Sequence, residues 1–320
     1  MCIIYHMQRF FSHIRDYLRW YLLSGLIILS AVLWLVVLHE NREGFLTFAV
    51  LDVGQGDSLF IESPTGTQVL VDGGPNNSLM KEISKVLPWY DRHIDMLVIT
   101  NPDRDHYEGF IPLLDKYSTE VVLEPGTTNP NEAYKVLEDK IIYKKIPKIL
   151  ARRGQRIILG GGAYLEILFP DRDISGVSPN DGSIIMKLVY GETSILLTGD
   201  STNRIEEYIL KLDESSLNSD ILKVAHHGSK TSSDPDFVLA VSPKWAVISS
   251  GEDNSYGHPH KETLETLKNL NVETYNTCNN GTIIFKSDGK SFVLQPLKAS
   301  SGRMTKNENI KEAVIGCKAN

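Results

Sequence analysis

Cysteine is nearly missing from this chain. Cys2, Cys278 and Cys317 are the only three in 320 residues, far apart and without a CxxC pair, so neither a disulfide framework nor a thiolate zinc site is indicated. A Gly-rich phosphate loop is absent and so is a GxSxG elbow, which disfavours nucleotide-driven work and serine hydrolysis. Positive charge is not in surplus: 33 Lys and Arg against 40 Asp and Glu give a net charge of −7. That argues against a protein that coats nucleic acid broadly, while a local basic stripe remains compatible. Long apolar runs are scarce too, with one near the amino end, so the chain offers no multi-helix channel. No fixed-period repeat is visible. What is present, 42% hydrophobic and 23% charged residues, is ordinary globular material for one large domain or two small ones.

The single apolar run is informative. Trp20 to Leu38 reads WYLLSGLIILSAVLWLVVL, without a charge, and at 1.5 Å rise per residue it reaches roughly the ~30 Å of a bilayer core. Arg9, Arg15 and Arg19 precede it and only Arg42 follows closely, so the amino end is expected in the cytoplasm, with Trp20 and Tyr21 at the interface. A cleaved signal peptide is the competing reading, but VVLHENREG offers no small-x-small site. The expected organisation is an anchor over residues 1–44 with its span at 20–38, an extracytoplasmic domain over 45–298, and a polar, loosely ordered tail over 299–320.

Within 45–298, strands are expected at FLTFAVLDVG, DSLFIES, TQVLVDGG, IDMLVIT, TEVVLEP, YLEILFP, SIIMKLVYG, SILLTGD, SDILKVA, KWAVISSG, GTIIFKS and SFVLQPL. Helical rhythm marks NSLMKEISKVLPWY, GFIPLLDKY, STNRIEEYILKL, PDFVLAV and KETLETLKNL. Interleaving of the two implies a layered α/β architecture with helices covering sheet faces.

Polar residues concentrate in loops that follow strands, where α/β folds commonly place sites. In TNPDRDH, Asn101, Asp103 and Asp105 alternate and His106 adds an imidazole, a set that could hold cations; the bland alternative is that Asp103 or Asp105 caps the next helix. Asp200 could likewise bridge ions or cap STNRIEEY. His226 and His227 end an apolar strand, where neighbours tend to point to opposite sides, so one of them is expected at a site. His258 and His260 flank Pro259 in a turn-rich loop.

The ordered set LDVGQGDS, VLVDGG, TNPDRDHYEG, ILLTGD, LKVAHHGSKTSS, YGHPH and GTIIF resembles the metallo-β-lactamase-type domain of ComEC/Rec2 DNA-uptake proteins over most of residues 45 to 297. The resemblance implies an αββα sandwich with a metal-dependent hydrolase site at one edge, acting as a nuclease outside the cytoplasm, with DNA as substrate and a separate channel protein as partner. The family pattern His-x-(His/Asp)-x-Asp-His departs here at Asn101, one nitrogen ligand fewer. One metal subsite would map to Asn101 and Asp103, with Asn180 or Asp181 near and Asp200 between. The other would map to Asp105, His106, Asp200 and one of His226, His227 and His258. One or two divalent ions are implied, and oxygen-rich, thiolate-free coordination points to manganese before zinc or magnesium. The lost histidine leaves an impaired binding module, or a hydrolase of another ester, as alternatives.

Roles follow for the remaining residues. Asp105 could orient the attacking water, and His227, Lys230 or His258 could stabilise charge or protonate the leaving group. Asp57, Asp72 and Asn180 could orient ligands, while Ser229, Ser232 and Ser233 could touch phosphate or simply make turns. Lys135, Lys140, Lys144, Lys145, Lys148, Arg152, Arg153 and Arg156 form a basic segment able to hold phosphates, or a solvated face.

Overall fold

The structure, a computed structural model, describes residues 2–39 and 44–296. It divides into two units, residues 1–43 and 44–320. The first is one helix, Cys2–His39. Its segment Tyr17–Leu35 is long and apolar enough to cross a membrane, with mean hydropathy 1.8 and no part buried. The polar tail expected at 299–320 lies outside the described residues.

The second unit contains strands β1 (Leu46–Val50), β2 (Leu59–Glu62), β3 (Gln68–Val71), β4 (His93–Val98), β5 (Ser118–Glu124), β6 (Lys148–Leu150), β7 (Arg156–Gly160) and β8 (Ala163–Phe169). The remainder are β9 (Ile185–Tyr190), β10 (Thr193–Leu197), β11 (Ile221–Lys223), β12 (Trp245–Ile248), β13 (Glu273–Asn276), β14 (Ile283–Ser287) and β15 (Phe292–Leu294). One sheet runs β15-β14-β1-β2-β3-β4-β5-β6 and the other β13-β12-β11-β10-β9-β8-β7.

Period-two alternation builds the layers. Phe48, Val50, Ile61, Val69 and Val71 of the first sheet face Leu165, Ile167, Met186, Ile195 and Leu197 of the second. Their neighbours Ala49, Phe60, Leu70 and Leu97 point the other way, against Leu79, Ile83, Phe110, Leu137 and Ile141. On the second sheet Leu196, Leu222, Ala246 and Ile248 meet Ile205, Ile209, Phe237, Val241 and Leu267. Strands buried on both faces need near-continuous apolar sequence, which is what VLV, MLVIT and WAVI supply. Each fully buried Leu, Ile or Phe contributes about 1.5–3 kcal/mol by leaving water. The result is helix, sheet, sheet, helix: the expected αββα sandwich.

Some elements depart from expectation. Glu132–Tyr143 is a helix, its stripe Tyr134, Leu137 and Ile141 buried, although its lysines had made the segment read as a basic stretch. β6 and β7 are edge strands with mostly exposed side chains, so they lack the burial that writes a strand pattern into sequence. β13 reads ETYN and is polar for a strand. Cys278 is disulfide-bonded, which sparse cysteines had given no reason to expect.

One contact sets the position of the site. The short helix Arg104–Tyr107 docks on the loop after β3, with Gly109 N–H donating to the Gly74 carbonyl at 3.0 Å. A Cβ on Gly109 would stand 2.0 Å from the Gly73 carbonyl oxygen, so glycine is required for this approach.

Candidate metal centre

Loops after β3, β4, β10, β11 and β12 bring Asp72, residues 100–106, Asp200, His226 with His227, and Ser249 to one edge of the sandwich. Capping does not explain the acids. Asp103 occupies the cap position of Arg104–Tyr107 without a side-chain cap bond, and its Oδ1 instead accepts from Asn129 at 3.1 Å. The cap residue of Asn203–Asp213 is Thr202, not Asp200.

Four side chains converge. Asp105, His106, Asp200 and His227 each present one possible ligand atom, all within 4.8 Å of one another. His106 Nε2 lies 3.0 Å from Asp200 Oδ2, and His227 Nε2 lies 3.1 Å from Asp105 Oδ2 and 3.6 Å from Asp200 Oδ1. Despite this closeness His106 Nε2 and Asp200 Oδ1 are buried without a hydrogen-bond partner. A buried polar atom left without a hydrogen bond costs about 1–3 kcal/mol, and a cation held between these atoms would remove that cost. The donor set, two imidazole nitrogens and two carboxylate oxygens, fits a divalent transition metal.

Each imidazole is held from behind. His106 Nδ1 is 2.9 Å from Asp72 Oδ2, and Asp72 in turn accepts from Thr100 N at 2.8 Å and Thr100 Oγ1 at 2.5 Å. His227 Nδ1 faces the Ser249 carbonyl at 3.0 Å and Asp57 Oδ1 at 3.3 Å. Asp57 accepts from Lys223 Nζ at 2.7 Å, a pair with both side chains buried. Such contacts fix ring orientation and leave Nε2 to the site. A second grouping, Asp57, Asp72 and His106, is accounted for by these same supporting bonds.

The electrostatics follow from the crowding. Burial disfavours charge on the two inner histidines, yet there the mutual attraction wins: Asp200 and Asp57 push His227 up to about 10, and Asp200 and Asp72 raise His106 well above its ordinary value. Asp200 is held far below the usual carboxylate range by His106 and His227, against burial. His258 goes the other way, lowered to about 4 by burial and then by the neighbouring His227 and His226. These carboxylate attractions hold protons on both His106 and His227 more tightly than free imidazoles hold theirs. A cation must displace them, so apparent affinity should rise with pH below those raised values, with about two protons released per ion. Calorimetric titration in buffers of different ionisation enthalpy measures that number; zero release would separate these histidines from the cation.

His226 and His227 do not alternate as strand residues would. β11 ends at Lys223, and both histidines sit in the turn Ala225–Gly228 with left-handed φ of 49° and 55°. Two successive left-handed residues break the period of two, and both rings line the cleft with Asp103, Asp105, Asp200 and His258.

Several sequence expectations need correction. Asn101 is buried and spent on the scaffold: its Nδ2 donates to Asn180 Oδ1 at 2.7 Å and its Oδ1 accepts from Asp103 N at 2.9 Å. Asp181 accepts from Thr202 at 2.6 Å and from Arg204 at 2.8 Å and is not in the cleft lining. Lys230 is exposed and outside that lining. Ser229 and Ser232 are buried, bonded to Thr231 Oγ1 at 3.0 Å and the Ser201 carbonyl at 2.6 Å, so they brace loops. Arg152 donates to the Pro125 carbonyl at 2.9 Å and Arg153 pairs with Asp213 at 3.0 Å. Lys148 bridges Glu124 and Glu138, Lys140 pairs with Asp115, and Arg156 with Glu166; much of the basic segment is thus neutralised. Missed altogether were Gln55 and Tyr256 in the lining and the buried Lys223; a lysine inside the apolar strand DILKVA was the available signal for the last.

Residues 51–252 match the family described as the metallo-beta-lactamase superfamily. ComE operon protein 3 of Bacillus subtilis is 28% identical over 286 residues, 81% of this chain and 35% of that protein. Recombination protein 2 of Haemophilus influenzae is 29% identical over 238 residues, 73% of this chain and 28% of that protein. The chain spans about a third of the length of these curated relatives. The crystal structure of the metallo-beta-lactamase fold protein YhfI from Bacillus subtilis superposes with a TM-score of 0.50 at 12% identity, covering 76% of this chain and 99% of YhfI, which shows the shared fold. Fold, ligand cluster and family match agree: this chain belongs to the metallo-beta-lactamase superfamily, with a domain of the ComEC/Rec2-like kind.

Proposed function

We propose that this protein is a membrane-anchored, divalent-metal-dependent phosphodiesterase that cleaves DNA outside the cytoplasm. The observation that carries the reading is the meeting of Asp105, His106, Asp200 and His227, with unpartnered buried ligand atoms, in an open cleft. Among the described residues one such cluster reaches the cleft, and with Asn101 locked to Asn180 this favours one ion in place of two, with manganese ahead of zinc or magnesium. When bound, such an ion supplies Lewis acidity toward water and a phosphoryl oxygen.

The residues around it divide the remaining work. Asp105 is the least buried of the four, its side chain 32% exposed, so it can hold the attacking water as well as an ion. His258, neutral at physiological pH and lining the cleft, suits a proton acceptor more than a donor. Its Nδ1 lies 3.4 Å from Gln55 Nε2 and its ring stacks on Tyr256 at 5.6 Å, so the imidazole is positioned at the mouth. DNA as substrate is supported by the competence-type relatives. The exposed apolar segment Tyr17–Leu35 supports a single-pass anchor, and Arg9, Arg15 and Arg19 ahead of it, against Arg42 after it, favour a cytoplasmic amino end.

The purified chain, incubated with single- and double-stranded DNA plus manganese, magnesium or zinc, should cleave DNA only with metal, and Asp105→Ala should abolish cleavage. Turnover of other esters alone would move the assignment to another hydrolase of this fold. Absence of bound metal would make the chain a binding module.

A further inference from the structure

The wall of the metal cleft includes a loop that metal binding does not use. From Gly251 to His258 the chain closes on itself: Asn254 Nδ2 donates to the Gly251 and His258 carbonyls at 2.9 Å and 2.6 Å, and Asn254 Oδ1 accepts from His258 N at 2.9 Å. Gln55 holds the loop from the other side, its Oε1 accepting from Gly251 N at 3.2 Å. A Cβ on Gly251 would stand 2.8 Å from Gln55 N, so the two loops meet at close range. Bonds at both ends fix where the residues between them sit.

Tyr256 is one of those residues, and its ring is 65% exposed. The ring lies on His258, with centroids 5.6 Å apart and planes inclined by 23°. His258 in turn lies 6.2 Å from the ring of His227, one of the four converging side chains. Three rings therefore lead outward from the cluster, and the outermost has one face covered and the rest open to water. Single exposed tyrosines are ordinary on a protein surface. This one lines the same cleft as Asp105, Asp200 and His227, beside the place where a substrate bound at the cluster would lie.

A flat apolar face next to a site for phosphate suits a ligand that carries both a phosphodiester and a planar group. A nucleic-acid strand does, and stacking on an aromatic side chain accepts every base because each has a π-face. Bases inside a duplex are already stacked on their neighbours, so only an unpaired or extruded nucleotide can use such a ring.

We propose that Tyr256 is a stacking platform for an unpaired nucleobase next to the phosphodiester held at the metal cluster. This rests on the phosphodiesterase reading above. His258 backs the ring from within, and the Asn254 and Gln55 contacts keep it in place before substrate arrives, so little ordering is left for binding to impose.

The test compares a single-stranded oligothymidylate with an abasic strand of the same length, in manganese and detergent. Binding is read by filter retention on the full chain carrying Asp105→Ala, which should cut neither strand, and cleavage is read on the unaltered chain. Oligothymidylate should bind more tightly than the abasic strand. Adding Tyr256→Leu should lower that advantage about fivefold or more, the effect of losing one stacked base, while Tyr256→Phe should retain it, because the ring and not the hydroxyl makes the contact. Equal binding of the two strands, or an advantage that Tyr256→Leu leaves intact, would overturn the platform, and DNA cleavage by the unaltered chain would then leave the phosphodiesterase standing. An advantage lost with Tyr256→Leu in a protein whose unaltered chain cuts neither strand would support the platform while removing the phosphodiesterase. Equal loss with Tyr256→Phe would assign the contact to the hydroxyl and overturn the stack. Equal binding of the strands with Tyr256-dependent capture of a neutral oligosaccharide would assign the ring to sugar instead.

Discussion

Asp200→Ala should lose its metal on dialysis and lower hydrolysis by more than about 100-fold, the upper range reached by losing even a supporting residue of a metal site. Asp200 touches His106, His227 and His226, the last at 3.9 Å, and is 3% exposed. Its removal takes one donor from the cluster and the counter-charge that both inner histidines share. Asp200→Asn separates these effects, keeping volume and one neutral oxygen while deleting the charge. Metal content by elemental analysis, read beside circular dichroism to check folding, decides the matter. A variant that keeps a full equivalent of metal would show that the cluster is not the binding site.

Lys223→Met should destabilise the folded chain by about 3–5 kcal/mol, because it strands the buried Asp57 carboxylate. Burial by itself would raise Asp57, but Lys223 and then His227 bring it down to about 2. The sign follows: a carboxyl depressed from 3.8 to about 2 on folding contributes stability above its unfolded value, and that stability is lost as pH falls through the folded value. Lys223→Met should erase this contribution, and Lys223→Met/Asp57→Asn should restore most of the loss at neutral pH. Denaturant unfolding of the metal-free protein measures both. Metal affinity should fall about 10- to 100-fold in the single variant, since Asp57 steadies His227 from behind. An additive double variant would refute the coupling.

Much of the architecture was legible. Long apolar strands such as IDMLVIT and SILLTGD carry the constraint of burial on both faces, so their sequence can hardly read as anything else. Edge strands β6 and β7 were not legible, because an exposed edge imposes little pattern. The helix Glu132–Tyr143 was hidden by composition: a three-residue buried stripe among lysines reads as charge before it reads as a face.

The site was legible in its ingredients and less so in its assembly. Residue types alone determined that oxygen and imidazole donors, with no thiolate cluster, cluster in loops at strand ends, and that an apolar segment precedes them. Tertiary structure decided which donors meet. Asn101 and Asp181 are ligand types by chemistry, yet neighbours at hydrogen-bond distance had already taken their polar atoms. His226 and His227 turn to one cleft because left-handed backbone replaced strand geometry. Lys223 counts because it pairs across 166 positions of sequence with Asp57. A ligand or an ion pair is a matter of a few ångströms, and the chain sets such distances only after its sheets have packed.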